Sequence, residues 1–179
     1  DRVSMHLIVS CSLNKNSKSK ILANYASTLY NQEVKFLDLQ TMELPFCDGD
    51  SCYDNPKVKE LSNLVKESKS IIIASPIYMY DLNAAAKNFM ELTGRAWTKK
   101  VVGFICAAGG KGSYMSVTSY MNSLMLDFRC IIAPRFVYTD RSGFDENYNI
   151  KSNIKERIEE LVDQITSVSY THLRAHETV

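Results

Sequence analysis

The chain has no apolar run close to the ~20 residues that a membrane-spanning helix requires, so no segment reads as one. It also carries little net charge, +1, so no whole-molecule field draws it to nucleic acid or to an anionic membrane surface. Seven glycines and four prolines are too few for a collagen-like or low-complexity chain. The five cysteines (11, 47, 52, 106 and 130) are an odd number, and most sit in apolar or strand-like settings. That speaks against a disulfide framework and leads us to expect reduced thiols and a cytoplasmic protein.

The apolar content, 45% of 179 residues, suffices for one domain with its own core. Strand-like and helix-like periods alternate along it. Strands are expected at 5–11, 33–39, 70–75, 101–107 and 130–138. Helices are expected at 17–30, from Pro56 onward, at 82–93, at 113–126 and at 150–166. Ser70–Ser75 (SIIIAS) and Val101–Ala107 (VVGFICA) are continuous apolar runs, the mark of parallel strands covered on both faces. In the last helix, Ile154, Ile158, Leu161 and Ile165 form one stripe. Five strands alternating with five helices imply a doubly wound α/β sheet. We expect residues 1–4 and 168–179 to be non-native or disordered ends, because strand periodicity starts at Met5 and no period continues past Val168.

In such a sheet, ligands bind beyond the carboxyl ends of the strands, so three loops matter. The first, Cys11–Ser19, is dense in hydroxyls and amides and leads into a helix whose free N–H groups suit a phosphate. Its candidates are Ser12, Asn14, Ser17, Lys18 and Ser19, with Lys15 as an alternative cation. The second, Pro76-Ile77-Tyr78-Met79, sets apolar and aromatic groups where a flat ring needs a wall. The third, Ala107–Tyr114, holds the candidates Gly109, Gly110, Lys111 and Gly112, and its glycines allow close backbone approach or positive φ. Walker A and Gly-x-Gly-x-x-Gly patterns are both missing, and no His, Cys–His or paired-carboxylate constellation lies in these loops.

These residues resemble the NAD(P)H-dependent FMN reductase family of flavodoxin-like proteins, which includes azoreductase- and quinone-reductase-type members. The family's Gly-Ser-x-Arg-x-x-Ser loop corresponds to Cys11–Ser17. Its Pro-x-Tyr segment and following Leu-Lys-Asn correspond to Pro76-Ile77-Tyr78 and Ala86-Lys87-Asn88, and its Gly-Gly to Gly109-Gly110. Leu44-Pro45-Phe46 and Asp48-Gly49-Asp50 resemble the segment after its second strand. Two departures stand out: Asn14 replaces the usual Arg, removing a charge-assisted phosphate contact, and Cys11 replaces a Gly. Cys47 and Cys52 lie where iron–sulfur relatives carry four cysteines, and two thiolates are too few for such a cluster.

The resemblance implies a flavodoxin-like five-stranded sheet of order 2-1-3-4-5 over residues 5–167. It also implies bound FMN, NAD(P)H as co-substrate and a small-molecule acceptor such as a flavin, quinone or azo compound. A homodimer is implied too, with Tyr80, Phe89 and Trp97 as interface candidates and burial in the core as the alternative for Phe89. The rival expectation is a flavodoxin-type electron carrier without NAD(P)H turnover. Near-neutral charge counts against it.

Overall fold

The computed structural model describes residues 5–177, those from 170 onward by backbone alone. Strands β1 (Met5–Ser10) and β5 (Val101–Ala107) are buried end to end, and β3 (Ser70–Tyr78) up to its last residue. Strands buried on both faces need no polar alternation, which is why these runs read as continuously apolar. The edge strand β2 (Glu33–Asp38) does alternate between exposed and partly buried over its first four residues. These strands pair in parallel in the order β2-β1-β3-β5.

The sheet has seven strands rather than five, although the expected order of the parallel strands holds. Two local causes account for the difference. The expected strand 130–138 is split into β6 (Ile131–Ile132) and β7 (Val137–Thr139), both pairing in parallel with β5. Between them, Pro134 has no N–H to donate and Arg135 takes a left-handed φ of 56°. Also, β3 runs three residues beyond Ser75 and turns back antiparallel as β4 (Asp81–Leu82), pairing Ile77 with Leu82 and Tyr78 with Asp81.

Among the described residues, five α-helices cover the sheet: α1 (Lys18–Ser27), α2 (Pro56–Glu67), α3 (Ala84–Thr93), α4 (Thr118–Phe128) and α5 (Ser152–Glu177). Successive strand residues point to opposite faces. Leu7, Val9, Ile71, Ile73 and Phe104 therefore pack with Leu61, Phe89, Tyr120 and Leu124 of α2, α3 and α4. Ile8, Ile72 and Ile105 pack with Leu22 of α1 and Ile158, Leu161 and Ile165 of α5. The α5 stripe is buried as expected. It presses so closely on β5 that a Cβ on Gly103 would lie 2.4 Å from Ile165 Cδ1.

Three expected boundaries are corrected. Helix α3 starts at Ala84, not Leu82, because Leu82 belongs to the hairpin and Asn83 is the cap. Helix α4 starts at Thr118, after a short 3-10 turn at Lys111–Ser113. Helix α5 continues past Thr166 to Glu177, so the expected irregular tail is helical backbone there. Ser169 is buried with its hydroxyl bonded to Ile165 O at 2.6 Å. The expectations for residues 1–4 and 178–179 lie outside the described residues. Trp97 is also corrected as an interface candidate, and Phe89 takes its alternative place in the core. Both are fully buried in an edge-to-face pair 6.1 Å apart, and Trp97 Nε1 donates to Thr93 Oγ1 at 2.7 Å. Among the described residues, no helix is long and apolar enough to cross a membrane.

Candidate functional site

The carboxyl ends of β1, β3 and β5 lie side by side, and the three loops leaving them enclose one cleft of about 190 Å³. The first loop contributes Ser12, Asn14, Asn16, Ser17, Lys18 and Ser19. The second contributes Pro76, Ile77 and Tyr78, and the third Ala107, Ala108 and Gly109. Nine of the thirteen expected site residues are among these. Met79, Gly110, Lys111 and Gly112 do not line the cleft, whereas Asn16, Ala107 and Ala108, which lie in the expected loops but were not among the thirteen, do.

The first loop is built for a helix start. Ser17 is the N-cap of α1, its Oγ accepting from Lys20 N–H at 3.0 Å and lying 3.0 Å from Ser19 Oγ. Asn14 Oδ1 accepts from Asn16 N–H at 2.9 Å, and Ser12 Oγ from Asn14 N–H at 3.2 Å. The first-turn N–H groups of Lys18 and Ser19 have no intrahelical acceptor, and the positive end of the helix dipole lies with them. Lys20 is turned away into an ion pair with Asp38 at 2.6 Å, so Lys18 is the cation lining the cleft.

The second loop is the two-residue tip of the β3–β4 hairpin. Met79 (φ 51°) and Tyr80 (φ 61°) are both left-handed, as a type I′ turn demands, although Asn-Gly is the sequence that such turns favour. Two bulky residues in that region store strain. The turn geometry also explains Met79: it sits at the tip, 95% exposed, outside the cleft that the strand residues Pro76–Tyr78 line.

Behind the cleft, Asn83 ties two of the loops together. Its Nδ2 donates to Cys11 O at 2.7 Å, at the end of β1, while its Oδ1 caps α3 by accepting from Ala86 N–H at 3.1 Å. Its own N–H reaches Ser75 Oγ at 3.2 Å, and that hydroxyl donates to Pro76 O at 2.8 Å. One buried amide thus connects the start of the first loop to the strand that carries the second.

In the third loop none of Gly109, Gly110 and Gly112 has positive φ, which corrects one of the two uses expected of them. A Cβ on any of them would meet nothing within 4 Å, so space lies over this backbone. Tyr138 anchors the loop, its hydroxyl bonded to Gly110 O and lying 2.8 Å from Ser113 Oγ. Tyr114 stacks on Phe136 with centroids 4.8 Å apart. Tyr138 and Asn83 escaped sequence reading because their partners are distant in the chain.

The thiols next to these loops are not nucleophiles. Burial pushes the Cys11 thiol far up and the Cys106 thiol up to about 12, so both stay protonated at neutral pH. Among the described residues, no group of three His, Cys, Asp or Glu is placed to hold a metal. The cleft offers N–H and hydroxyl donors with a cation at one end, and a proline–tyrosine wall beside open glycine backbone at the other. That chemistry suits binding and orienting an anionic group joined to a flat ring, rather than acid–base catalysis by side chains.

Comparison with known proteins identifies the family. An NADPH azoreductase from Bacillus sp. (strain OY1-2) is 28% identical over 121 residues, 66% of this chain and 67% of that protein. An NADPH:quinone oxidoreductase from Arabidopsis thaliana is 26% identical over 168 residues, 86% of each. The structure of FerB, a flavoenzyme NAD(P)H:(acceptor) oxidoreductase from Paracoccus denitrificans, shares the fold. Its TM-score is 0.73 at 18% identity, over 92% of this chain and 98% of that one. Residues 5–144 match the NADPH-dependent FMN reductase family. The chain therefore belongs to that family, as an NAD(P)H-dependent oxidoreductase that works with FMN on a flavodoxin-like fold.

Proposed function

We propose that the three-loop cleft is the FMN site and that the enzyme passes electrons from NAD(P)H to a small planar acceptor: a free flavin, a quinone or an azo compound. The convergence of the three loops on one cleft carries this reading. The phosphate takes the end formed by Ser12, Asn14, Ser17, Lys18 and Ser19, where a helix N-terminus and Lys18 oppose its charge. The ring takes the end between Pro76-Ile77-Tyr78 and Gly109, whose backbone leaves room for it. FMN, when bound, supplies the hydride chemistry, so the protein needs to position and tune rather than to donate a proton. Without the family's Arg, Lys18 and the α1 N–H groups carry the anion, which favours weaker retention of the cofactor.

The hairpin tip supports a homodimer in this proposal. Met79 and Tyr80, 95% and 76% exposed, set large side chains beside the ring end of the cleft, where a second copy would cover them. Five unpaired cysteines fit a reducing, cytoplasmic setting.

Steady-state oxidation of NADPH and of NADH by the FMN-loaded protein tests the reading. Each assay uses free FMN, a benzoquinone or an azo dye as acceptor. Turnover with at least one acceptor, saturable in nicotinamide, is expected. Failure to consume either nicotinamide with any of the three would refute it.

A further inference from the structure

The loop between β2 and α2 holds a feature that flavin chemistry does not use. Cys47 and Cys52 stand at the two ends of a tight turn with their sulfurs 3.8 Å apart. The turn is organised by Asp48, whose Oδ1 accepts from Asp50 N–H and Cys52 N–H at 3.0 Å each, and whose Oδ2 accepts from Ser51 Oγ at 2.5 Å. These bonds, Ser51 foremost, hold the Asp48 carboxyl far below the usual carboxylate range, so the turn keeps its clasp at any physiological pH. The loop is pinned to α3 as well: Cys47 N–H donates to Asn88 Oδ1 at 2.9 Å, and Asn88 Nδ2 donates to Pro45 O at 2.9 Å.

The two thiols are unequal. Cys52 is 5% exposed and packs with Val58 and Leu92, and burial pushes its thiol up. Cys47 is half-buried, lies 3.5 Å from the Tyr53 hydroxyl and lines a second cleft of about 440 Å³. That cleft also presents Lys87, Glu91 and Asp127, and it does not overlap the three-loop cleft. An accessible sulfur next to a sheltered one, on a turn that already holds them together, is the arrangement of an attacking and a resolving cysteine.

We propose that Cys47 and Cys52 form a dithiol–disulfide couple that exchanges with small-molecule disulfides through the second cleft. Cys47 loses its proton to solvent, and its sulfur attacks a disulfide R–S–S–R, forming Cys47–S–S–R and releasing R–S⁻, which takes up a proton. The Cys52 sulfur then attacks Cys47 Sγ, its proton passing to the second R–S⁻ as that leaves. Two protein thiols are oxidised to one disulfide, and R–S–S–R is reduced to two R–SH. Closing the bond brings the sulfurs from 3.8 Å to the ~2.05 Å of a disulfide, a movement within one short turn.

The test equilibrates the FMN-bound enzyme in buffers of reduced and oxidised glutathione, traps free thiols by alkylation and maps them by peptide mass. The wild-type protein is expected to yield a Cys47–Cys52 disulfide, with Cys11, Cys106 and Cys130 alkylated only after denaturation. Cys52→Ser should stop at one glutathione bound to Cys47, and in a time course of the same trapping Cys47→Ser should lose its remaining thiol ~10-fold or more slowly than the wild-type protein loses Cys47. Retained flavin absorbance in both variants shows that they fold. Persistent glutathione on Cys47 of the wild-type protein, two free thiols at every ratio, or a disulfide to any other cysteine would overturn the proposal.

Discussion

Asn83 joins Cys11 O, Ser75 and the start of α3 through one buried residue, so it ties two loops of the cleft together. Asn83→Ala removes an N-cap and leaves the Cys11 carbonyl buried without its donor. We expect a loss of about 2–3 kcal/mol, read from the urea midpoint. FMN affinity should fall with it, since both loops lose their common tether. At the other end of the sheet, His6 is buried, with Nδ1 2.7 Å from Ser70 Oγ and its ring 5.2 Å from that of Tyr30. Burial, helped by the charge of Lys69, lowers its pKa from 6.5 to about 4. Because the folded value is depressed, the unfolded chain binds the extra proton first. The contribution is therefore complete above pH 6.5 and is lost as pH falls towards 4, by up to about 3 kcal/mol. Urea unfolding at pH 7 and pH 4.5 should show this loss in the wild-type protein and a smaller one in His6→Asn. Equal losses in both would place the effect elsewhere.

At the scale of elements, the β3–β4 hairpin is where local preference and fold disagree. A Met-Tyr pair occupies both left-handed positions of a type I′ turn. Replacing it by Met79→Asn with Tyr80→Gly should relax that backbone and raise stability by ~1–2 kcal/mol in thermal or urea unfolding. If the tip serves the dimer, the same change should also weaken self-association in sedimentation. The hairpin shows why sequence reading stopped short here. Pro76-Ile77-Tyr78 was legible as a wall because an apolar run led straight into it. The turn itself was not, since Met-Tyr carries none of the Asn-Gly chemistry that announces one. The split of the last strand was hidden similarly, its apolar residues masking the break at Pro134 and Arg135. The central strands and the helix stripes were legible because each rests on neighbours within a few residues. Asn83 and Tyr138 were not, with hydrogen-bond partners 72 and 28 residues away.

For the whole molecule, the order β2-β1-β3-β5 is what turns three unremarkable loops into a site. It sets the carboxyl ends of β1, β3 and β5 next to one another, so hydroxyls, a planar wall and open glycine backbone share a single cleft. The reading of that cleft predicts where charge matters. Ser17 caps α1 and lines the end of the cleft that the proposal gives to the phosphate. Aspartate is an equally good N-cap, so Ser17→Asp keeps the helix start while placing a negative charge where the proposal puts the phosphate. The decisive measurement is therefore titration of FMN fluorescence with the wild-type protein and with Ser17→Asp, both shown to be folded by circular dichroism. The account predicts saturable one-to-one quenching by the wild-type protein and an affinity lower by ~10-fold or more in the variant, from charge repulsion alone. A wild-type protein that leaves FMN unquenched, or a variant that binds it as tightly as the wild type, would contradict it.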